Sequence, residues 1–302
     1  MSAEAVEATL FRDFGPRPTD RLGEYTHLRH SSAILIEDWH RRGPDSFGVL
    51  VRWPAGGAAG EYDPRLLAQT IRQSGLLVAH AEYGVPTGHQ TLLNTLNITV
   101  WPGFRAREGA AFEVRVTVTR EAGPSALGME FEIRRPGGAP VCLANTRFGW
   151  VSPAAYRRVR GRHLAVDWGR WPLPEALPPR RVGRTRDNDV LLAAGGDGHR
   201  WQLRNDVSQT LLFDHPVDHV PGLVLLEAAQ QAAYAATWPW PVDFTDVCVS
   251  YAQYVEFDEP CWIEAGPLTT LLPGRFAIEV RGHQGGRTAF EARMRGRRLR
   301  KP

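Results

Sequence analysis

The sequence predicts an α+β protein made of two copies of one unit, each a long antiparallel sheet wrapped around a central buried helix. Three observations carry this expectation. The order short strands, loop, apolar helix, four strands occurs twice along the 302 residues. The two helices match locally, with Gln69-Thr70-Ile71-Arg72-Gln73 lying over Glu227-Ala228-Ala229-Gln230-Gln231 about half a chain apart. The second helix is apolar on almost every face, which demands burial.

In chain order, residues 33–39 and 47–53 read as strands around a Gly43-Pro44 turn signal. Residues 56–64, GGAAGEYDP, read as a flexible loop. A helix follows through residue 81, with Asp63 as its N-cap and Pro64 at its first position, where a missing N–H costs nothing. Strand-like runs occupy 95–101, 112–120, 129–135 and 141–151. Residues 152–188 break the pattern: Pro153, Pro172, Pro174, Pro178 and Pro179 stand among many arginines, giving a connector with a short helix near Ala154–Arg160. The pattern then resumes with strands at 189–193 and 199–206, a loop at 210–222 and the apolar helix at 223–238. Strands at 247–257, 261–272, 276–284 and 288–296 close the chain. A sheet face closed over one apolar helix satisfies both elements, and two such sheets side by side leave fewer free edges. This is the layout of a tandem (double) hotdog fold. The expected divisions are an N-terminal hotdog domain at 1–151, a Pro/Arg-rich connector at 152–188, and a C-terminal hotdog domain with a basic tail at 189–302. The two domains would form an intramolecular pseudo-dimer, with a further homodimer left open.

Composition narrows the function classes. At 43% hydrophobic and 23% charged residues the chain is too apolar for intrinsic disorder. No run of about 18 apolar residues offers a membrane span, and the acidic N-terminus lacks the basic and apolar regions of a secretory signal. The net charge of +3 rests on six basic residues in the last ten positions, read as a solvated or frayed end; without them the balance turns negative, so the body is no nucleic-acid surface. Lys301 is the only lysine, which excludes Schiff-base and P-loop lysine chemistry. Cys142, Cys248 and Cys261 are far apart and odd in number, so neither a disulfide framework nor a zinc ribbon is expected, and buried apolar thiols in a reducing cytoplasm fit best.

The chemistry concentrates in Phe213-Asp214-His215-Pro216-Val217-Asp218-His219-Val220-Pro221-Gly222 and the helix behind it. Glu227 is an acid in a helix that wants burial. Such a carboxylate must be paired, hydrogen-bonded or protonated, and burial raises its pKa towards that of a general base or acid near neutral pH. His215 or His219 supplies the second titratable group. A metal reading of Asp214, His215, Asp218 and His219 fails because Pro216 and Pro221 break any helix that would present both histidines, and no third ligand cluster is near. G-x-S-x-G is absent, and Gly56, Gly57 and Gly60 form no nucleotide fingerprint.

Six stretches together are specific: DPRLLAQTIRQSG, HAEYGVPTGHQ, NTRFGWVSPAAYRRVRG, LFDHPVDHVPGLVLLEAAQQAA, EPCWIEA and VRGHQGGRTAF. Through them the chain resembles the A-factor synthase (AfsA-like) family of γ-butyrolactone biosynthesis, from about residue 27 to 292. The resemblance implies an acyltransferase that moves a β-ketoacyl group from an acyl carrier protein thioester to the hydroxyl of dihydroxyacetone phosphate, without a cofactor or metal. The Val220-Pro221-Gly222…Glu227…Gln231 spacing is also similar to the hotdog dehydratases of fatty-acid synthesis, which pair a helix glutamate with a loop histidine. Catalytic candidates are therefore Glu227, His219 and His215. Substrate-binding candidates are Arg72, Gln69, Gln73, Gln230, Gln231, Asp218 and Gly222, with the first backbone N–H groups of the second helix facing the thioester carbonyl.

The chain departs from the family pattern, Glu-x-x-Arg-Gln in both helices. The first helix has Gln69 with Arg72, the second Glu227 with Gln230, and the first half has no His-rich loop before its helix. The first half thus reads as catalytically degenerate, and Gln230 weakens recognition of phosphate because an amide offers no cationic fork. Two alternatives stand beside acyl transfer: a diverged natural-product hotdog enzyme with dehydratase, cyclase or condensing activity, and a non-catalytic acyl- or lactone-binding regulator.

Overall fold

A computed structural model describes residues 19–54, 63–106, 109–120, 123, 125–196 and 198–299. The chain divides into two compact units, residues 1–92 with 99–153 and residues 93–98 with 154–302.

The first unit opens with α1 (Leu22–Thr26) and a tight turn at Ser31–Ala33. β1 (Ile36–Gly43) and β2 (Ser46–Arg52) follow as a hairpin. α2 (Pro64–Leu77) carries the expected N-terminus: the Asp63 carboxylate accepts from the Arg65 N–H, with Pro64 beside it. The helical path reaches residue 82, but its last turn, Val78–Glu82, widens into a π-type turn. β3 (Gln90–Val100) falls partly in each unit. β4 (Ala111–Arg120), β5 (Ala126–Arg134) and β6 (Pro140–Val151) complete an antiparallel order β1-β2-β4-β5-β6. Period-2 patterning puts Phe112, Val114, Val116 and Val118 of β4 in the core, between outward Glu113, Arg115 and Thr117. α2 lies against this face; a Cβ on Gly75 would come 3.3 Å from the Phe131 ring of β5.

The second unit contains α3 (Pro153–Arg160), where a short helix was expected, then single turns at Pro179–Val182 and Asp187–Asp189. β7 (Leu192–Ala194), β8 (Arg200–Leu203) and α4 (Gly222–Thr237) follow. The last strands are β9 (Val242–Tyr251), β10 (Trp262–Ala265), β11 (Thr269–Leu272), β12 (Arg275–Gln284) and β13 (Arg287–Arg298). They pair antiparallel in the order β9-β13-β12-β10-β8-β7, with β11 on β12. α4 is buried except at Gly222, Tyr234 and Ala236, as its apolar sequence demands, and packs on β9, β10, β12 and β13.

Several expectations shift. The run 261–272 splits into β10 and β11 at Gly266-Pro267, where proline has no N–H for a ladder. The strand expected at 247–257 runs instead from 242 to 251; the Ala252 and Gln253 N–H groups both bond to the Ala289 carbonyl, a bulge that ends the pairing. The tail is no frayed end through residue 298. Arg293, Arg295, Arg297 and Arg298 lie on β13, its outward arginines alternating with buried Ala292 and Met294, and Arg293 and Arg297 pair with Glu279 and Asp243. Arg300 and Lys301, the N-terminal 18 residues and residues 56–62 of the expected loop lie outside the described residues. Cys142 and Cys261 are buried, which pushes both thiols up to about 12, whereas Cys248 is exposed, contrary to the expectation of a buried thiol. No helix among the described residues is long and apolar enough to cross a membrane.

Candidate active site

The matched glutamines of the two helices do the same thing. Gln73 accepts from the Leu35 N–H (2.8 Å) and donates to the Ala33 carbonyl (2.9 Å). Gln231 accepts from the Leu191 N–H (2.8 Å) and donates to the Asp189 carbonyl (2.7 Å). Each thereby ties its helix to the tight turn that precedes β1 or β7. These turns occupy positions where strands were expected to begin, because the backbone groups there are claimed by the glutamine instead of a ladder. Both ends of each amide are committed to the backbone, so the geometry makes Gln73 and Gln231 staples of the scaffold, where the sequence pointed to substrate contacts.

One turn back along each helix the units diverge. In α2 the position holds Gln69, buried and neutral; its neighbour Arg72 donates to the Thr26 carbonyl at 3.1 Å. In α4 it holds Glu227, whose side chain is 3% exposed. The second amide hydrogen of Gln231 reaches Glu227 Oε1 at 2.6 Å. Arg184 grips both carboxylate oxygens, Nε to Oε1 at 2.7 Å and Nη2 to Oε2 at 2.6 Å. The expected buried acid is therefore paired and hydrogen-bonded. A connector arginine supplies its countercharge through the planar two-point fork that suits a carboxylate.

The approach of Arg184 depends on Gly183. The Pro179–Val182 turn ends there at φ 68, and a Cβ would sit 2.9 Å from the Tyr234 ring of α4. Only glycine combines that left-handed backbone with so close a contact. The next side chain is delivered onto Glu227. Gln230 is buried on α4, at the place where a helix arginine was expected.

The loop before α4 is fixed at both ends. Phe213 packs with Trp168 and Phe257, and Trp171 stacks on Phe257 at 4.3 Å. At the other end the Val220 N–H bonds to the Val255 carbonyl, and Tyr251 donates to the Gly222 carbonyl at 2.8 Å. Between them two aspartate–histidine pairs repeat: His215 Nδ1 lies 2.9 Å from Asp214, and His219 Nδ1 lies 2.8 Å from Asp218. An ionised carboxylate can only accept, so in the His219 pair Nδ1 carries a proton, and in the neutral imidazole Nε2 is the nitrogen with the lone pair.

Asp218 is the best-connected acid of the site. It accepts from Tyr156 Oη (2.7 Å) and Arg160 Nε (2.9 Å) as well as His219. Arg160 also donates Nη1 and Nη2 to the two oxygens of Glu256 (2.6 and 2.7 Å), and its guanidinium covers the Tyr254 ring at 4.4 Å. Loss of solvent by itself pushes the Asp218 carboxyl up, but the bonds from His219, Tyr156 and Arg160 outweigh it and hold the group well below the usual carboxylate range. Burial, followed by the bond to Asp218, raises the Tyr156 phenol, keeping it a donor. Desolvation works against the Arg160 charge, yet the bonds to Glu256 and Asp218 prevail and raise its pKa. Among the described residues no group of three or more His, Cys, Asp and Glu side chains could hold a metal ion.

Tyr156, Arg160 and Arg184 were not singled out in the sequence. Their one legible signal was the arginine density of the connector, set against acids that burial obliges to find a cation.

A helix wrapped by an antiparallel sheet, twice in one chain, defines a double hotdog protein. In fold the chain is similar to an acyl-ACP thioesterase from Bacteroides thetaiotaomicron (TM-score 0.53, 12% identity, 83% of this chain and 98% of that one). It is also similar to the 12:0-ACP thioesterase from Umbellularia californica (TM-score 0.52, 10% identity, 86% and 100%). The chain belongs to the AfsA family: the model of the A-factor biosynthesis hotdog domain matches residues 16–133 and 170–299. A relative from Streptomyces virginiae, named 2-oxo-3-(phosphooxy)propyl 3-oxoalkanoate synthase, is 38% identical over 278 residues, covering 88% of this chain and 94% of the relative. The protein of that name from Streptomyces griseus is 33% identical over 288 residues, covering 91% and 95%.

Proposed function

We propose that this enzyme transfers a 3-oxoacyl group from a thioester, carried by an acyl carrier protein, to a hydroxyl of dihydroxyacetone phosphate. The product is the ester that the names of its relatives describe. The observation that carries the reading is the His219–Asp218 pair on the loop that opens buried α4.

In this reading His219 Nε2 takes the proton of the acceptor hydroxyl while Asp218 holds Nδ1–H and favours the imidazolium that forms. The acceptor oxygen adds to the thioester carbonyl. The backbone N–H groups of Gly222 and Leu223, ahead of the Val224 N–H already taken by the Pro221 carbonyl, face the developing oxyanion. Collapse breaks the C–S bond, and the thiolate recovers the proton from His219. Glu227 serves by holding Arg184 and Gln231, since proton transfer at its carboxylate would first have to break a two-point ion pair. His215 with Asp214 is a second dyad on the same loop, and Gln230 on α4 is a candidate for the acceptor.

A second reading keeps the thioester chemistry and changes the acceptor. Gln230 favours it, because an amide stands where a phosphate would meet an arginine. Incubation with a 3-oxoacyl thioester and dihydroxyacetone phosphate, followed by mass spectrometry, decides. The phosphorylated ester supports the first reading; free acid or a dehydrated thioester without ester overturns it.

A further inference from the structure

We propose that Tyr156 and Arg160, both on the connector helix α3, are positioning residues for the His219 base. This rests on the acyl-transfer reading and deepens it.

Spacing of four puts the two side chains on one face of α3. Both residues are buried, while Arg157, Arg158 and Val159 between them are exposed. A buried arginine on a short surface helix needs a reason, and Arg160 has two carboxylates and two carbonyls: Asp218 Oδ2, Glu256 through both oxygens, the Asp218 backbone oxygen at 2.7 Å and the His163 backbone oxygen at 3.5 Å. Tyr156 donates to Asp218 from a third direction and passes 3.3 Å from His219 Nδ1. Asp218 is thus held on both oxygens, and the imidazole it orients is held edge-on against Tyr254 at 4.7 Å between centroids. A base whose partner cannot rotate presents one tautomer in one direction, which is what proton transfer from a bound hydroxyl requires.

The charge balance points the same way. The titratable and charged groups facing His219 are Asp218, Tyr156, Arg160 and Tyr254, with Glu256 behind Arg160 and His163 3.6 Å from Glu256. With both histidines neutral, two carboxylates share one guanidinium and the group is one positive charge short. α3 therefore aims the base through Asp218 and supplies the one cation of the group.

The test is the pH dependence of ester formation in Tyr156→Phe, Arg160→Lys, Arg160→Gln and His219→Ala. Tyr156→Phe removes one charge-assisted hydrogen bond and should lower kcat about tenfold with KM little changed. It leaves more negative charge facing His219, so the imidazolium is favoured and the acid limb of kcat/KM moves to higher pH. Arg160→Gln removes a cation as well and should move the limb further in the same direction. Arg160→Lys keeps the charge and should restore the limb towards the parent while the rate stays low. Folded Tyr156→Phe with the parent rate and the parent acid limb overturns the inference, even if His219→Ala is inactive. His219→Ala with parental activity overturns the underlying reading instead. If Arg160→Gln does not fold, Tyr156→Phe still decides. Its NMR readout is the downfield Nδ1–H resonance of His219, which should shift if Tyr156 sets the dyad and stay in place if it does not.

Discussion

The two central helices are the most instructive pair of regions in the molecule. Gln73 and Gln231 make the same two backbone bonds to the same kind of turn. Four residues earlier one helix has a neutral amide and the other a buried ion pair. Both halves therefore keep the bonds that build the unit, while the first helix keeps an arginine, Arg72, and only the second keeps the helix acid and the histidine loop before it. Scaffold and chemistry reside in different side chains of one helical turn, and they diverge independently.

The comparison breaks most sharply at the base. Replacing His219 with alanine should cut ester formation about 10²- to 10⁴-fold, with unchanged thermal unfolding; Gln69→Ala in the first unit should leave turnover within about tenfold of the parent. Equal losses in a steady-state assay would mean that the first unit is not degenerate.

Next in size is the ion pair. Arg184→Ala strands a buried carboxylate and should cost about 3–5 kcal/mol in urea unfolding. Arg184→Ala with Glu227→Gln together should recover most of it, because the second change removes the charge that the first exposes. In the first unit Arg72→Ala, which loses a bond to the Thr26 carbonyl, should cost only about 1 kcal/mol.

The glutamines sharpen the likeness. Gln73→Ala and Gln231→Ala each remove the two bonds to the preceding turn and should cost a similar ~2–3 kcal/mol by the same measurement, with Gln231→Ala also losing its bond to Glu227. Only Gln231→Ala should also lower activity, since only Gln231 touches a site acid.

The smallest effect separates the units by pH. His80, on the π-type turn of the first unit, is buried, donates Nδ1–H to the Val85 carbonyl and stacks on His27 at 4.8 Å. Desolvation depresses its pKa below the ordinary 6.5, against a smaller upward pull from the bond to Val85. Its contribution to stability is therefore complete above 6.5 and is lost as pH falls through the depressed value. Asp218 is also depressed, from an ordinary 3.8, so its contribution is complete above that value and is lost only in stronger acid. Hydrogen exchange followed by mass spectrometry between pH 7 and pH 4 should show residues 78–85 loosening before residues 214–220. The reverse order would contradict this assignment.

Local features were readable in the sequence for local reasons. The Asp63-Pro64 start of α2, the apolar α4 and the alternation of β4 each depend on residues within a few positions of one another. The staples and the ion pairs do not. Gln231 reaches back to Leu191, Arg184 forward to Glu227, and Arg160 forward to Asp218 and Glu256. Nothing in the spacing says which of many arginines meets which acid. The connector also lacks the periodicity that marks an element, so its proline and arginine content read as a spacer between two domains.

That spacer carries a consequence for recombination. A cut at residue 189 looks clean along the chain, yet it would separate Glu227 from Arg184 and Asp218 from both Tyr156 and Arg160. Chimeras assembled from two family members should exchange residues 154–299 as one block. A junction placed inside it inherits acids from one parent and their cations from another.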